Sequence, residues 1–168
     1  PIKNLDVALN ILRNVHGNVA FHIYGSCEVP EYSDQCREIA STLPDNIQVR
    51  FEGNASHDRI PQIISGHHTL LLPTQSENFG QAIVEMLMQH RPVIISTNTP
   101  WHELEQHRAG YDIPLAQTEK FTEAINDFVD MDNAEFKEWC DAAGEYISKR
   151  LKLADLAAQY RKMLAGVQ

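Results

Sequence analysis

The stretch LLPTQSENFGQAIVEMLMQHRPVIIS, residues 71–96, reads as strand, loop, helix and strand. A short apolar strand over 69–72 stops at Pro73. A polar loop, 74–78, leads into a helix over about 79–90, and PVIIS, 92–96, is the next strand. The helix begins near Phe79 or Gly80, and its first N–H groups have no partner within the helix and carry partial positive charge. Gly80 lets a ligand approach the backbone closely. A helix start that faces strand ends is a natural seat for a phosphate.

Two carboxylates belong to this stretch. Glu77 precedes the helix start on the loop, where it can accept hydrogen bonds from the hydroxyls of a bound sugar. Glu85 sits in the otherwise apolar run Ala82-Ile83-Val84-Glu85-Met86-Leu87-Met88. Burying a carboxylate is costly without partners, so it must turn to solvent or receive donors, and a ribose diol is a good donor pair. Taken singly, Glu77 also reads as an ordinary acid near a helix N-terminus, and Glu85 as a solvent-facing helix residue. Together with the Gly80 turn they favour a ligand.

Outward from this stretch, strand-like and helix-like segments alternate. Leu5, Ala8, Leu9, Leu12 and Val15 recur at helical spacing. VAFHIY, 19–24, is a β-rich run stopped by Gly25, a helix spans 31–43, and 47–51 is a strand ended by Gly53. Residues 56–65 look helical, with Ser56 as a possible N-cap. Beyond 96 the expectations are a short helix at 101–107, a strand near 111–115, and helices over 119–129, 134–147 and 153–164. Short continuous apolar strands followed by helices argue for an α/β fold with a parallel sheet covered by helices on both faces. Ligands of such sheets lie beyond the carboxyl ends of the strands. The loops after Tyr24, Phe51, Leu72 and Ser96 are therefore the places for chemistry.

Composition narrows the function. The 168 residues fit one domain, and a formal net charge of −9 makes a poor partner for nucleic acid or anionic lipid. The three cysteines, Cys27, Cys36 and Cys140, form no close pairing motif and suit a reducing compartment. The cytoplasm is the expected location, with the inner face of the membrane as a second location reached through a missing half. No apolar run approaches the roughly 20 residues of a membrane span, and no signal peptide opens the chain. Pro1-Ile2-Lys3 reads as an interior start.

ENFGQAIVE, 77–85, resembles the motif of two glutamates separated by seven residues in family-4 (group 1) retaining glycosyltransferases, which have the GT-B fold. RPVIIS resembles the strand that follows it in that family, with Arg91 where a small residue is commoner. IKNLDVAL, VAFHIYGS, IQVRFEGN and TPWHELEQHRAGYDIPL resemble, in order and spacing, further segments of the family's C-terminal domain. The resemblance covers nearly the whole chain. It implies that residues 1–168 are a single Rossmann-like domain, the donor-nucleotide-sugar-binding half of a GT-B fold, without the N-terminal acceptor-binding domain. A final helix at about 153–164 carries the stripe Leu153, Leu156, Ala157, Tyr160 and Leu164 and packs either toward that absent domain or on its own.

The resemblance also implies roles. Glu77, the candidate catalytic residue, binds hydroxyls of the donor sugar and orients it rather than attacking it. The N–H groups of Asn78, Phe79 and Gly80 hold that sugar, and those of Gln81 and Ala82 hold the diphosphate. Lys3 neutralises the diphosphate; without the resemblance it is only an exposed lysine. Glu85 takes the ribose, and the base lies against Gly53, Asn54 and Ala55. The implied reaction transfers a sugar from a nucleotide-diphosphate sugar to a saccharide or lipid-linked acceptor, with retention and without a metal or other cofactor. The isolated half is expected to be inactive.

Rival readings are a nucleotide-sugar 2-epimerase and a non-catalytic nucleotide-sugar-binding module. A Rossmann dehydrogenase lacks its G-x-G-x-x-G here, and a receiver lacks an aspartate at a strand end. His67 and His68 have no metal-ligand spacing, and Ser65 and Ser76 lie in no nucleophile elbow. Trp101 reads as a loop anchor before it reads as a ligand stacker.

Overall fold

In the computed structural model, residues 2–26 and 28–151 are described. The elements run α1 (Leu5–Leu12), β1 (Val19–Tyr24), α2 (Pro30–Ser41), β2 (Ile47–Gly53), a 3-10 turn (His57–Arg59), α3 (Ile60–Ser65), β3 (Leu70–Leu72), α4 (Gln81–Met88), β4 (Val93–Ser96), β5 (Gly110–Ile113), α5 (Thr118–Asp130) and α6 (Asn133–Leu151). The expected helix at 153–164 lies outside the described residues.

All strand pairs are parallel. β1 pairs with β2, and β3, β4 and β5 pair in that order, so the hydrogen bonds make two ladders. The His67 ring, three residues before β3, stands edge-on to His22 of β1, with centroids 4.9 Å apart. Val19 and Phe21 of β1, Val49 of β2, Leu71 of β3, Ile94 of β4 and Ile113 of β5 nevertheless belong to one apolar cluster. The two ladders thus share a core layer.

Strand residues alternate between faces, and the core follows that period. On β4, Val93 and Ile95 pack with Ile83 and Leu87 of α4 and Ala143 and Ile147 of α6, whereas Ile94 packs with Leu12 of α1 and Phe121 of α5. All four residues of β4 are buried. This is the double coverage that unbroken apolar strands imply. Burying each of the large α4 side chains is worth about 1.5–3 kcal/mol, so the register of α4, and with it the place of its first turn, is set by the core.

The expected helix at 101–107 is not formed. Residues 104–108 are turns, and Glu103 and Arg108 stand at φ 62° and φ 50°, in the left-handed region that a right-handed helix excludes. The turn is held from outside: the N–H groups of Glu103 and Leu104 donate to the Asp112 carboxylate at 3.3 and 2.9 Å. The region expected to be one helix from Ser56 divides into the 3-10 turn and α3. Ser56 precedes the turn without a side-chain cap bond. Arg91, the departure from the family strand, donates to the Ser65 carbonyl at 3.0 Å and lies 3.7 Å from the Cys140 sulfur, tying α3 to α6.

Candidate functional site

The site grows from the loop between β3 and α4. Ser96 at the end of β4 donates to the Thr74 carbonyl at 2.6 Å, and Thr74 is fully buried. Asn98 donates through its side chain to the Gln75 carbonyl at 3.0 Å, and its own carbonyl accepts the Glu77 N–H at 3.1 Å. The start of the chain is stitched to the same loop. Buried Asn4, in the left-handed region at φ 52°, donates to the Pro73 carbonyl at 2.9 Å and accepts from the Gln75 amide at 2.8 Å. The Gln75 N–H in turn donates to the Ile2 carbonyl at 2.9 Å.

This stitching brings Lys3 to Glu77, 74 positions away, and the ammonium donates to the carboxylate. The Lys3 side chain is 53% exposed and the Glu77 side chain 17%. Gly80 stands next to the pair at φ 76°, and a Cβ there would approach Glu77 Cγ to 3.2 Å and Ile83 Cδ1 to 2.8 Å.

Helix α4 starts one residue later, at Gln81, with Gly80 as its N-cap and no side-chain cap. Its first backbone bond is from Val84 N–H to the Gly80 carbonyl at 3.0 Å. The N–H groups from Asn78 to Ile83 donate to no acceptor among the described residues. Unsatisfied donors in series at a helix start, partly positive by the macrodipole, are the kind of group from which an anion accepts.

A second pair lies one turn along α4. Glu85 accepts from the Gln81 side-chain amide at 3.0 Å, keeps its side chain 25% exposed, and lies 3.8 Å from Nδ1 of His57. The apolar run around Glu85 is thus reconciled with its charge: it has a donor and stays at the surface. His57 was not singled out from sequence; its only signal is its place just after the 53–55 loop. Gly53 in that loop has φ 72°, open space where a Cβ would stand, and a carbonyl that accepts Gly25 N–H at 2.9 Å. Asn54 is exposed and Ala55 half-buried. Asp58, beside His57, is held below the usual carboxylate range by a hydrogen bond from Ser56.

The structure therefore joins Lys3, Glu77 and Gly80 on one side of the helix start, and Gln81, Glu85 and His57 on the other. Phe79, next to Gly80 in the chain, has 53% of its surface exposed. Trp101 is 6% exposed, in keeping with its reading as an anchor. A groove of about 530 Å³ between α1 and α5 shares no residue with this open shelf. Among the described residues no group of three or more His, Cys, Asp or Glu could hold a metal ion, and no helix is long and apolar enough to cross a membrane.

The sequence profile of the family described as "Glycosyl transferases group 1" matches residues 1–150. No curated protein matches the chain. Among solved structures, Anabaena Alr3699/HepE in complex with UDP-glucose is similar over 99% of this chain and 46% of that one, at 18% identity and a TM-score of 0.78. S. aureus TarM is similar over 96% of this chain and 32% of that one, at 17% identity and a TM-score of 0.74. WaaG, a glycosyltransferase involved in lipopolysaccharide biosynthesis, is similar over 92% of this chain and 43% of that one, at 15% identity and a TM-score of 0.68. The chain thus spans less than half the length of each of these. Such identities carry the fold, Rossmann-like α/β as in GT-B glycosyltransferases.

Proposed function

The chain belongs to the group 1 glycosyl transferases, and from that premise we propose that it is the half of a retaining transferase that binds a nucleotide-diphosphate sugar. The observation that carries this reading is the run of unpaired N–H groups from Asn78 to Ile83 beside the Lys3–Glu77 pair. A sugar and a diphosphate supply the acceptors that this run lacks. HepE, which shares the fold, was solved with UDP-glucose bound, and that supports a nucleotide sugar as the ligand.

The N–H groups of Asn78, Phe79 and Gly80 donate to the sugar, and those of Gln81 and Ala82 to the diphosphate. Glu85 accepts from the ribose hydroxyls. The base rests at Gly53, Asn54 and Ala55, with His57 at the edge of that loop. The Lys3 end of the pair is half open to water, which screens its hold on the more covered Glu77. An incoming diphosphate therefore draws Lys3 away at little cost, and Glu77 is released to accept hydroxyls of the sugar.

In the reaction the bond between the sugar and the diphosphate breaks and the leaving oxygen gains negative charge. Lys3 and the α4 N-terminus stabilise that charge as it develops, so no divalent cation is required. The sugar passes through an oxocarbenium-like state, as in glycoside hydrolysis, and Glu77 orients it. Transfer to a saccharide or lipid-linked acceptor takes place in the longer protein, where an N-terminal domain holds the acceptor. The isolated chain binds the donor weakly and transfers nothing, because positioning the acceptor supplies much of the rate.

Calorimetry of the chain with UDP, GDP and ADP, and with a hexose ester of each, tests the proposal. One base is expected to bind, in the micromolar to millimolar range. Binding of none, or formation of a 2-epimer from the sugar nucleotide, would overturn it.

A further inference from the structure

Trp101 lies 22 positions beyond Phe79, and its indole N–H donates to the Phe79 carbonyl at 2.6 Å. Its buried ring stands edge-on to the Phe79 ring, with centroids 6.0 Å apart. No peptide bond among the described residues is cis. In a planar trans peptide the carbonyl and the following N–H point opposite ways. Fixing the Phe79 oxygen against Trp101 therefore turns the Gly80 N–H away from Trp101. That N–H donates to no described acceptor, although Gly80 is a buried residue. Buried backbone donors are nearly always paired, so this one is set for a partner from outside the chain.

We infer that Trp101 is a positioning residue that aims the Gly80 N–H at the sugar of the bound donor. The inference rests on the donor reading above. Gly80 needs such a clamp, because a glycine has no Cβ to restrict its neighbouring peptide planes. Phe79 cannot provide it, since its own side chain is half open to solvent. Trp101 is itself fixed from behind. The next carbonyl, of His102, accepts from the Tyr146 hydroxyl at 2.8 Å, and the Glu103 carboxylate accepts from Arg150 at 2.8 Å. Asp112 holds the N–H groups of Glu103 and Leu104. The clamp thus transmits the position of α6 and β5 to one amide at the start of α4.

The test compares a sugar nucleotide with its own nucleoside diphosphate in the wild-type chain and in Trp101→Phe, which keeps an aromatic ring and removes the donor. UDP-glucose and UDP, GDP-mannose and GDP, and ADP-glucose and ADP are titrated by calorimetry, and the pair that binds the wild type is used. Loss of one aimed hydrogen bond weakens the sugar nucleotide about tenfold and leaves the diphosphate within about twofold, since Gln81 and Ala82 are not clamped by Trp101. Equal weakening of both ligands, or of neither, overturns the inference while leaving the donor reading intact. Absence of binding to the wild type overturns the donor reading and the inference with it. If thermal melts show that Trp101→Phe does not fold, benzothienylalanine at position 101, with sulfur for N–H in a ring of the same shape, gives the same comparison.

Discussion

Lys3 and Glu77 form an ion pair across the mouth of the site, with Lys3 on the segment before α1 and Glu77 on the loop before α4. The pair exists because Asn4 and Gln75 tie those segments together. In the longer protein, Glu77→Gln keeps the shape and loses the charge that accepts sugar hydroxyls. Turnover with the true donor should fall about a hundredfold, the scale of a misplaced substrate, while nucleoside diphosphate affinity stays within about threefold. Near-normal turnover would remove Glu77 from the role given to it.

Lys3→Met tests the other partner. Losing one charge-assisted contact to the diphosphate should weaken nucleoside diphosphate binding about tenfold. The loss should shrink as salt rises, because the contact is exposed and screened. Transfer by the longer protein should survive EDTA; complete loss restored by Mg²⁺ or Mn²⁺ would show that a cation does the work assigned to Lys3 and the helix start.

Gly80→Ala separates strain from function. At φ 76° an alanine pays the left-handed cost of about 1–2 kcal/mol. Its closest neighbour, Ile83 Cδ1 at 2.8 Å, ends a fully buried core side chain that must give way to the new methyl. Denaturant midpoints should therefore show a loss of at least that size, with the fold kept. Donor affinity should fall further than that of a surface variant of equal stability, because the added methyl stands beside Glu77.

Stability should decline in alkali. Burial raises the thiols of Cys36 and Cys140 above the ordinary value. The fold favours their protonated form, so their contribution is complete below the unfolded value of about 8.5 and is lost as pH rises through the folded values. Urea midpoints at pH 7, 8.5 and 10 should fall over the last interval, and less steeply in a Cys36→Ala/Cys140→Ala double variant. An unchanged slope in that variant would contradict the assignment.

Local pattern carried much of the fold. β1 at 19–24 is bounded by residues whose preferences leave little choice, and the helix start beside Gly80 follows from a glycine set before an apolar period of 3.6. What sequence did not reveal depends on tertiary contact. The 101–107 segment has helical spacing, but Asp112 captures its N–H groups and puts Glu103 in the left-handed region. His57, at the start of the 3-10 turn, comes within 3.8 Å of Glu85 across 28 positions of sequence. The division into two ladders could not be read from apolar runs, since β1 has the same pattern whether β3 bonds to it or only packs beside it. At the site, Glu77, Gly80 and Glu85 were legible as residue types at a helix start. The hydrogen bond from Trp101 to Phe79 was not, because it joins positions that no periodicity links.

The most direct test of the donor seat is an amide ¹H–¹⁵N spectrum of the chain during titration with the sugar nucleotide that binds best. Saturable shifts led by the amides of 78–83 are expected, with Gly80 moved by the sugar nucleotide and little by the nucleoside diphosphate. Saturation that leaves these amides unmoved and shifts residues elsewhere would contradict this seat.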